Sequence, residues 1–198
     1  RRCCAFLEDY IMSNEIAKAH DFVSSGLIAG TQTGEQALAV GRYKFECRDK
    51  DGNLKWEIEE DNLVVNAGLQ YMAGTALTST AQITSWYIGL ITGPGVTTSA
   101  TDTMGSHGWT EFTGYSNSTR VAASFTAATS ANPSVVTNSS SVASFTINAT
   151  GTVGGAFLTS GSAKSGTTGT LFSEKAFSSP GDRSVVSGDI LSVTYTLD

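Results

Sequence analysis

Arg42–Glu60 reads RYKFECRDKDGNLKWEIEE, and its alternation decides the architecture. Tyr43, Phe45 and Cys47 alternate with Lys44, Glu46 and Arg48. Beyond Asp51-Gly52, Trp56 and Ile58 alternate with Lys55, Glu57 and Glu59. A period of two belongs to a strand with one buried face, and an Asp-Gly pair tolerates the positive φ angles of a tight hairpin turn. Folding about that pair sets Cys47 opposite Trp56 and Phe45 opposite Ile58, so one face is apolar. On the other face Glu46 falls diagonal to Lys55 and Arg48 diagonal to Glu57, which partly offsets the like charges directly opposite.

The rest of the chain continues in the same style. Of 198 residues 21 are Gly and only 15% are charged, and Ser and Thr are abundant, a β-type composition unlike a helical bundle. Strands are expected at Ser85–Ile91 (Trp86, Ile88 and Leu90 on one side), Val121–Ala127, Ala143–Thr150, Thr170–Phe177 and Leu191–Leu197. Val153–Leu158 is expected to pair next after Ala143–Thr150, across Gly151. Gly93-Pro94-Gly95, Gly166, Gly169, Pro180-Gly181 and Gly188-Asp189 mark turns. One helix is expected over Ala67–Leu77, capped by Asn66, with Leu69, Met72, Ala73, Ala76 and Leu77 in one stripe. Val96–Ser118 is long and irregular, with a helical turn expected near Asp102–His107. The fold class is therefore mainly β: a two-sheet antiparallel sandwich, jelly-roll-like, over residues 42–198, with one short amphipathic helix and an extended N-terminal arm.

Residues 1–41 read differently. Arg1–Ile11 precedes Met12-Ser13-Asn14-Glu15, and Leu7-Glu8-Asp9 can be encoded as a purine-rich tract of the kind that binds ribosomes. The expectation is a translated leader followed by a native start at Met12. Met12–Gly41 reads as an arm with a short helix at Glu15–Ala19 and scattered apolar residues, among them Phe22 and Leu27, either ordered against a neighbour or left as a loose terminus. Three cysteines give no disulfide framework, and Cys47 reads as a small buried hydrophobe in a protein made for a reducing cytoplasm. The triplets at Asn117, Asn138 and Asn148 are expected by chance in so Ser/Thr-rich a chain. A net charge of -6 with no Lys/Arg run disfavours nucleic acid as a partner. The apolar run Trp86–Ile91 is far too short to cross a bilayer.

Constellations that carry chemistry are weak. His107 could act as a base oriented by Asp102, yet no G-x-S-x-G supplies a nucleophile, and a packed or surface histidine is the simpler state. Asp49, Asp51 and Asn53 resemble the start of a calcium loop, but Gly52 is misplaced and no closing glutamate follows; the hairpin turn already explains them. Gly161–Gly166 has phosphate-loop glycine spacing with Thr167 where the lysine belongs. Glu57, Glu59, Glu60 and Asp61 form an acidic cluster, by default a solvated face, that could meet a basic partner. Trp109, Phe112 and Tyr115 are either a stacking platform or an aromatic cluster packed under a long loop. No catalytic, cofactor-binding or metal-ligating set is expected. The candidate interaction surface is Phe22, Leu27, Trp109, Phe112 and Tyr115.

Four segments taken in order carry a resemblance: GNLKWEIEEDNLVVNAGLQYMAG, SWYIGLI, ATDTMGSHGWTEFTGYSNSTR, and SFTINATGTVGGAFLTS with GTTGTLFSEKAFSSPGDRSVVSGDILSVTYTL. This order resembles a family of small structural proteins of tailed bacteriophages, over about Tyr43 to Leu197. The matching residues are those of sheets, turns and loops. The resemblance implies a virion component with a sandwich body, found in the virion and assembled in the host cytoplasm. In that family the roles are capsid decoration (cement) protein and head- or tail-fibre-like module. The first implies binding to the major capsid protein or other virion proteins, with a homotrimer natural at a threefold position. The second implies binding of a host receptor or glycan. The Met12–Gly41 arm lies outside the resemblance and is expected to set the attachment site.

Overall fold

The computed structural model describes residues 40–178 and 181–198. The leader and nearly all of the arm, with Phe22 and Leu27, lie outside the described residues. The hairpin forms in the expected register: β1 (Gly41–Arg48) pairs antiparallel with β2 (Leu54–Asp61), Phe45 facing Ile58 and Cys47 facing Trp56. Gly52 takes a φ of +85° in the turn, and the Asp49 carboxylate accepts the amides of Asp51 and Asn53, each at 2.9 Å. The diagonal ion pairs are different ones. A bulge between Cys47 and Arg48 brings Arg48 opposite Leu54, which leaves Lys55 as the extra residue, and it pairs with buried Asp189. Arg48 pairs with Glu46 on its own strand and Lys44 takes Glu57 at 3.0 Å. Exposed pairs of this kind add little stability.

Two antiparallel sheets build the body. In the first, β12 (Ile190–Leu197) lies between β1 and the short strands β7 (Val136–Thr137) and β8 (Ala143–Thr146). The second runs β3 (Leu63–Val64), β10 (Leu171–Ala176), β9 (Gly151–Thr159) and β4 (Trp86–Thr92). Its margin on β4 is formed by β5 (Glu111–Phe112) and β6 (Val121–Ala123), while β11 (Arg183–Val185) pairs with β9. The inner faces meet in one core: Tyr43, Phe45 and Tyr195 from the first sheet pack with Ile88, Leu90, Leu158 and Phe172 from the second. The Tyr43 hydroxyl finds the Ser173 hydroxyl across the core at 2.9 Å, as a buried phenol requires.

The expected pairing of Ala143–Thr150 with Val153–Leu158 does not form. β8 joins β12 in the first sheet and β9 joins β4 and β10 in the second. The reason lies in β9, which is buried along most of its length. Its glycines admit neighbours that a side chain would exclude: a Cβ on Gly155 would stand 2.0 Å from the Lys175 carbonyl. A strand closed in on both faces belongs in the middle of a sheet.

The helix α1 spans Asn66–Leu77, but Asn66 caps nothing through its side chain. Its amide is satisfied by the Ala100 carbonyl at 2.8 Å. The expected stripe is also corrected, since Ala73 and Ala76 are exposed and Leu77 is 85% exposed. The inward side runs instead through buried Gly68, with Tyr71, Met72 and Thr75 half-buried. Gly68 sets this rotation, because its missing side chain lets the helix rest on the Phe172 carbonyl.

The second sheet is covered on its outer face as well. Val65, Ile91, Met104, Trp109, Phe157 and Leu171 form a separate apolar cluster there, under residues 96–110. That segment, expected to hold a helical turn, instead makes a tight turn in which Thr103 and Ser106 exchange backbone hydrogen bonds of 2.9 and 3.1 Å. In the main core, burial pushes the Cys47 thiol up to about 11. A thiol reagent at pH 8 should therefore leave Cys47 unmodified in a Cys3→Ser/Cys4→Ser chain until denaturant is added. Rapid labelling of the native protein would mean that this core is open.

Candidate interaction surface

Trp109, Phe112 and Tyr115 do not form an exposed platform. They are 7%, 7% and 1% exposed. Trp109 lies on Phe157 with ring centroids 4.5 Å apart, and Tyr115 meets Phe145 edge-on at 4.9 Å. Their segment has to cover apolar sheet surface, so its rings turn inward.

His107 and Asp102 are not brought together. His107 stacks on Trp109 at 3.6 Å. Asp102 accepts the Ser99 amide at 3.2 Å, beside the fully buried Glu174. Glu174 accepts the Trp109 indole N–H at 2.7 Å and the Ser99 amide at 2.9 Å. The Gly161–Gly166 loop cradles a cation. Carbonyls of Gly161 and Gly166 accept from the Arg120 guanidinium at 2.9 Å each. The same guanidinium donates twice to Glu111, at 3.0 and 2.8 Å, with both side chains nearly inaccessible to water. The acidic cluster on β2 is largely neutralised in place: Glu57 by Lys44, Glu59 and Asp61 by Arg42, and Glu60 by Lys175.

An open feature lies where β4 and β6 separate. The two strands pair from Ile88 with Val121 to Trp86 with Ala123 and then diverge. One wall, residues 79–85, leads back to α1, where the Ile83 amide donates to the Tyr71 hydroxyl at 2.8 Å. The other wall, residues 124–129, crosses to the first sheet, where the Thr126 amide donates to the Thr137 carbonyl at 2.9 Å. The groove between them has a volume of about 710 Å³, and Ile83, Trp86, Tyr87, Phe125 and Val136 supply its apolar lining. None of its lining residues is charged, in a chain of net charge -6. Among the described residues, the amides of Gln82, Thr84, Phe125 and Ala127 take no hydrogen-bond partner. Two irregular backbone segments, each with amides left without a partner among the described residues, face a common gap and are suited to accept another extended chain.

The sequence reading missed this groove. It set Trp86 on one side of its strand with Ile88 and Leu90 and read Val121–Ala127 as one strand, whereas β6 ends at Ala123. The one available signal is the run AATSANPS at 127–134, which has no large side chain to hold a ladder together. Comparisons with protein-family models, with curated proteins and with solved structures return no match.

Proposed function

We propose that this chain is a bacteriophage virion structural protein that decorates the capsid, binding the outer surface of the head and the major capsid protein there, as a homotrimer at threefold positions. The observation that carries the reading is the groove between β4 and β6: an uncharged, strand-accepting gap on a doubly covered sheet. The resemblance to small phage structural proteins supports it. Its work is mechanical, since bridging neighbouring capsid subunits adds buried area that resists internal pressure.

Purified virions should carry tens to hundreds of copies, a gel band comparable to that of the capsid protein. A few copies per particle would remove the decoration role. The groove is tested by Tyr87→Ala combined with Ala127→Pro, which deletes one apolar wall contact and one amide that takes no partner among the described residues. Capsid occupancy should weaken at least tenfold, about 1.4 kcal/mol or more, at unchanged melting temperature. Full occupancy would place the attachment elsewhere.

A second reading is a head- or tail-fibre-like module that binds a neutral host glycan. The Tyr87 and Phe125 rings beside Gln82, Ser85 and Ser124 favour it. Low copy number together with loss of host adsorption in the same variant would select it.

A further inference from the structure

Residues 96–110 lie across the outer face of the second sheet as a strap, tied down by the Ala100 and Thr110 carbonyls, which accept the Asn66 and Thr92 amides at 2.8 Å each, and otherwise by one buried carboxylate. Glu174 of β10 receives the Trp109 indole N–H on one carboxylate oxygen and the Ser99 amide on the other, at 2.7 and 2.9 Å. The Ser99 amide also reaches Asp102 at 3.2 Å. Two carboxylates therefore converge on one backbone donor, and Glu174 is wholly excluded from water. No cation compensates them among the described residues. From the strap, Asp102 and His107 are the titratable groups on this side, and His107 is stacked on the Trp109 ring. From within the sandwich Tyr43 is a titratable group that feels the Glu174 charge, and its hydroxyl is held by Ser173. β3 and β9 contribute Leu63 and Phe157 to this cluster, and α1 has no charged residue. Arg120 also lies against the Phe157 ring, but it is taken by Glu111.

We propose that Glu174 and Asp102 form a proton-operated latch: with a proton held between them the strap is fixed to the sheet, and losing it loosens the strap and uncovers Ile91, Met104, Phe157 and Leu171. Two carboxylates this close cannot both ionise without repulsion. Burial pushes the Glu174 carboxyl up from its ordinary 4.5 to about 7; the Trp109 and Ser99 hydrogen bonds oppose the rise and Asp102 adds to it. The value in the closed state lies above that in the opened, solvated state. The latch is therefore at full strength below about 4.5 and weakens as pH rises toward about 7, with no further loss beyond.

Deuterium exchange of the strap amides in the full chain, corrected for the intrinsic pH dependence of exchange, tests this. The opening constant should rise by up to tenfold per pH unit between about 4.5 and about 7, and Glu174→Gln should abolish the slope. A flat profile in the unsubstituted chain, or the same slope in Glu174→Gln, overturns the latch. A second measurement needs no substitution at Glu174. The Trp109 indole N–H resonance should titrate with a midpoint near 7, and Asp102→Asn should lower that midpoint. An indole resonance that does not move across this range also overturns it.

Discussion

Replacing Arg120 by Met is expected to lower folding stability by about 3–5 kcal/mol, among the largest effects of any single substitution in this body. The side chain is the hub of a buried polar site. It binds Glu111 through two nitrogens and closes the Gly161–Gly166 loop through two carbonyls. Removing it strands the Glu111 carboxylate where water cannot reach, leaving only the Ser165 amide, at 2.7 Å, to stabilise the charge. Two loop carbonyls lose their donor as well. The double replacement Arg120→Met/Glu111→Met should recover much of the loss, because no uncompensated charge then remains. Urea unfolding measures both. A single variant that loses less than about 1 kcal/mol would mean that water enters the site and that the pair acts as an exposed one.

Gly68→Ala is expected to destabilise by about 3 kcal/mol, although local propensity points the other way. In an exposed helix interior the change would gain up to about 1 kcal/mol. Here the new Cβ would stand 2.2 Å from the Phe172 carbonyl oxygen, which is backbone and cannot rotate aside. The helix must lift off β10 or tilt, and overpacking of this kind costs about 1–3 kcal/mol or more. The displacement would reach the groove, because Tyr71 on the same helix holds the Ile83 amide. Thermal melts give the sign. A stabilised variant would show that α1 is not seated against Phe172.

The hairpin, β12 and the sandwich class were legible because each rests on a local signal. Tyr43, Phe45 and Cys47 alternate without interruption, Asp51-Gly52 fits one turn, and Leu191, Val193, Tyr195 and Leu197 repeat the pattern. Partner choice was not legible. β8 and β9 are adjacent and both apolar, and nothing between Thr146 and Gly151 states that the chain changes sheets. The orientation of α1 was hidden for a related reason, since Gly68 sets it by what it lacks and a stripe of apolar residues does not record that. Trp109, Phe112 and Tyr115 were readable as important but not as inward-facing. Only the packing of the strap on Phe157 and of Tyr115 on Phe145 decides the direction. The groove was invisible because it is a place where pairing stops, and Ser85 and Ser124 look no different from their paired neighbours.

Tyr43, Phe45 and Cys47 are made about 150 residues before β12, the strand that lies beside them. Until then the hairpin has a raw margin and an uncovered aromatic side. Nascent or truncated chains lacking residues 190–197 should thus be the species that chaperones hold and that precipitates during expression, rather than the finished protein.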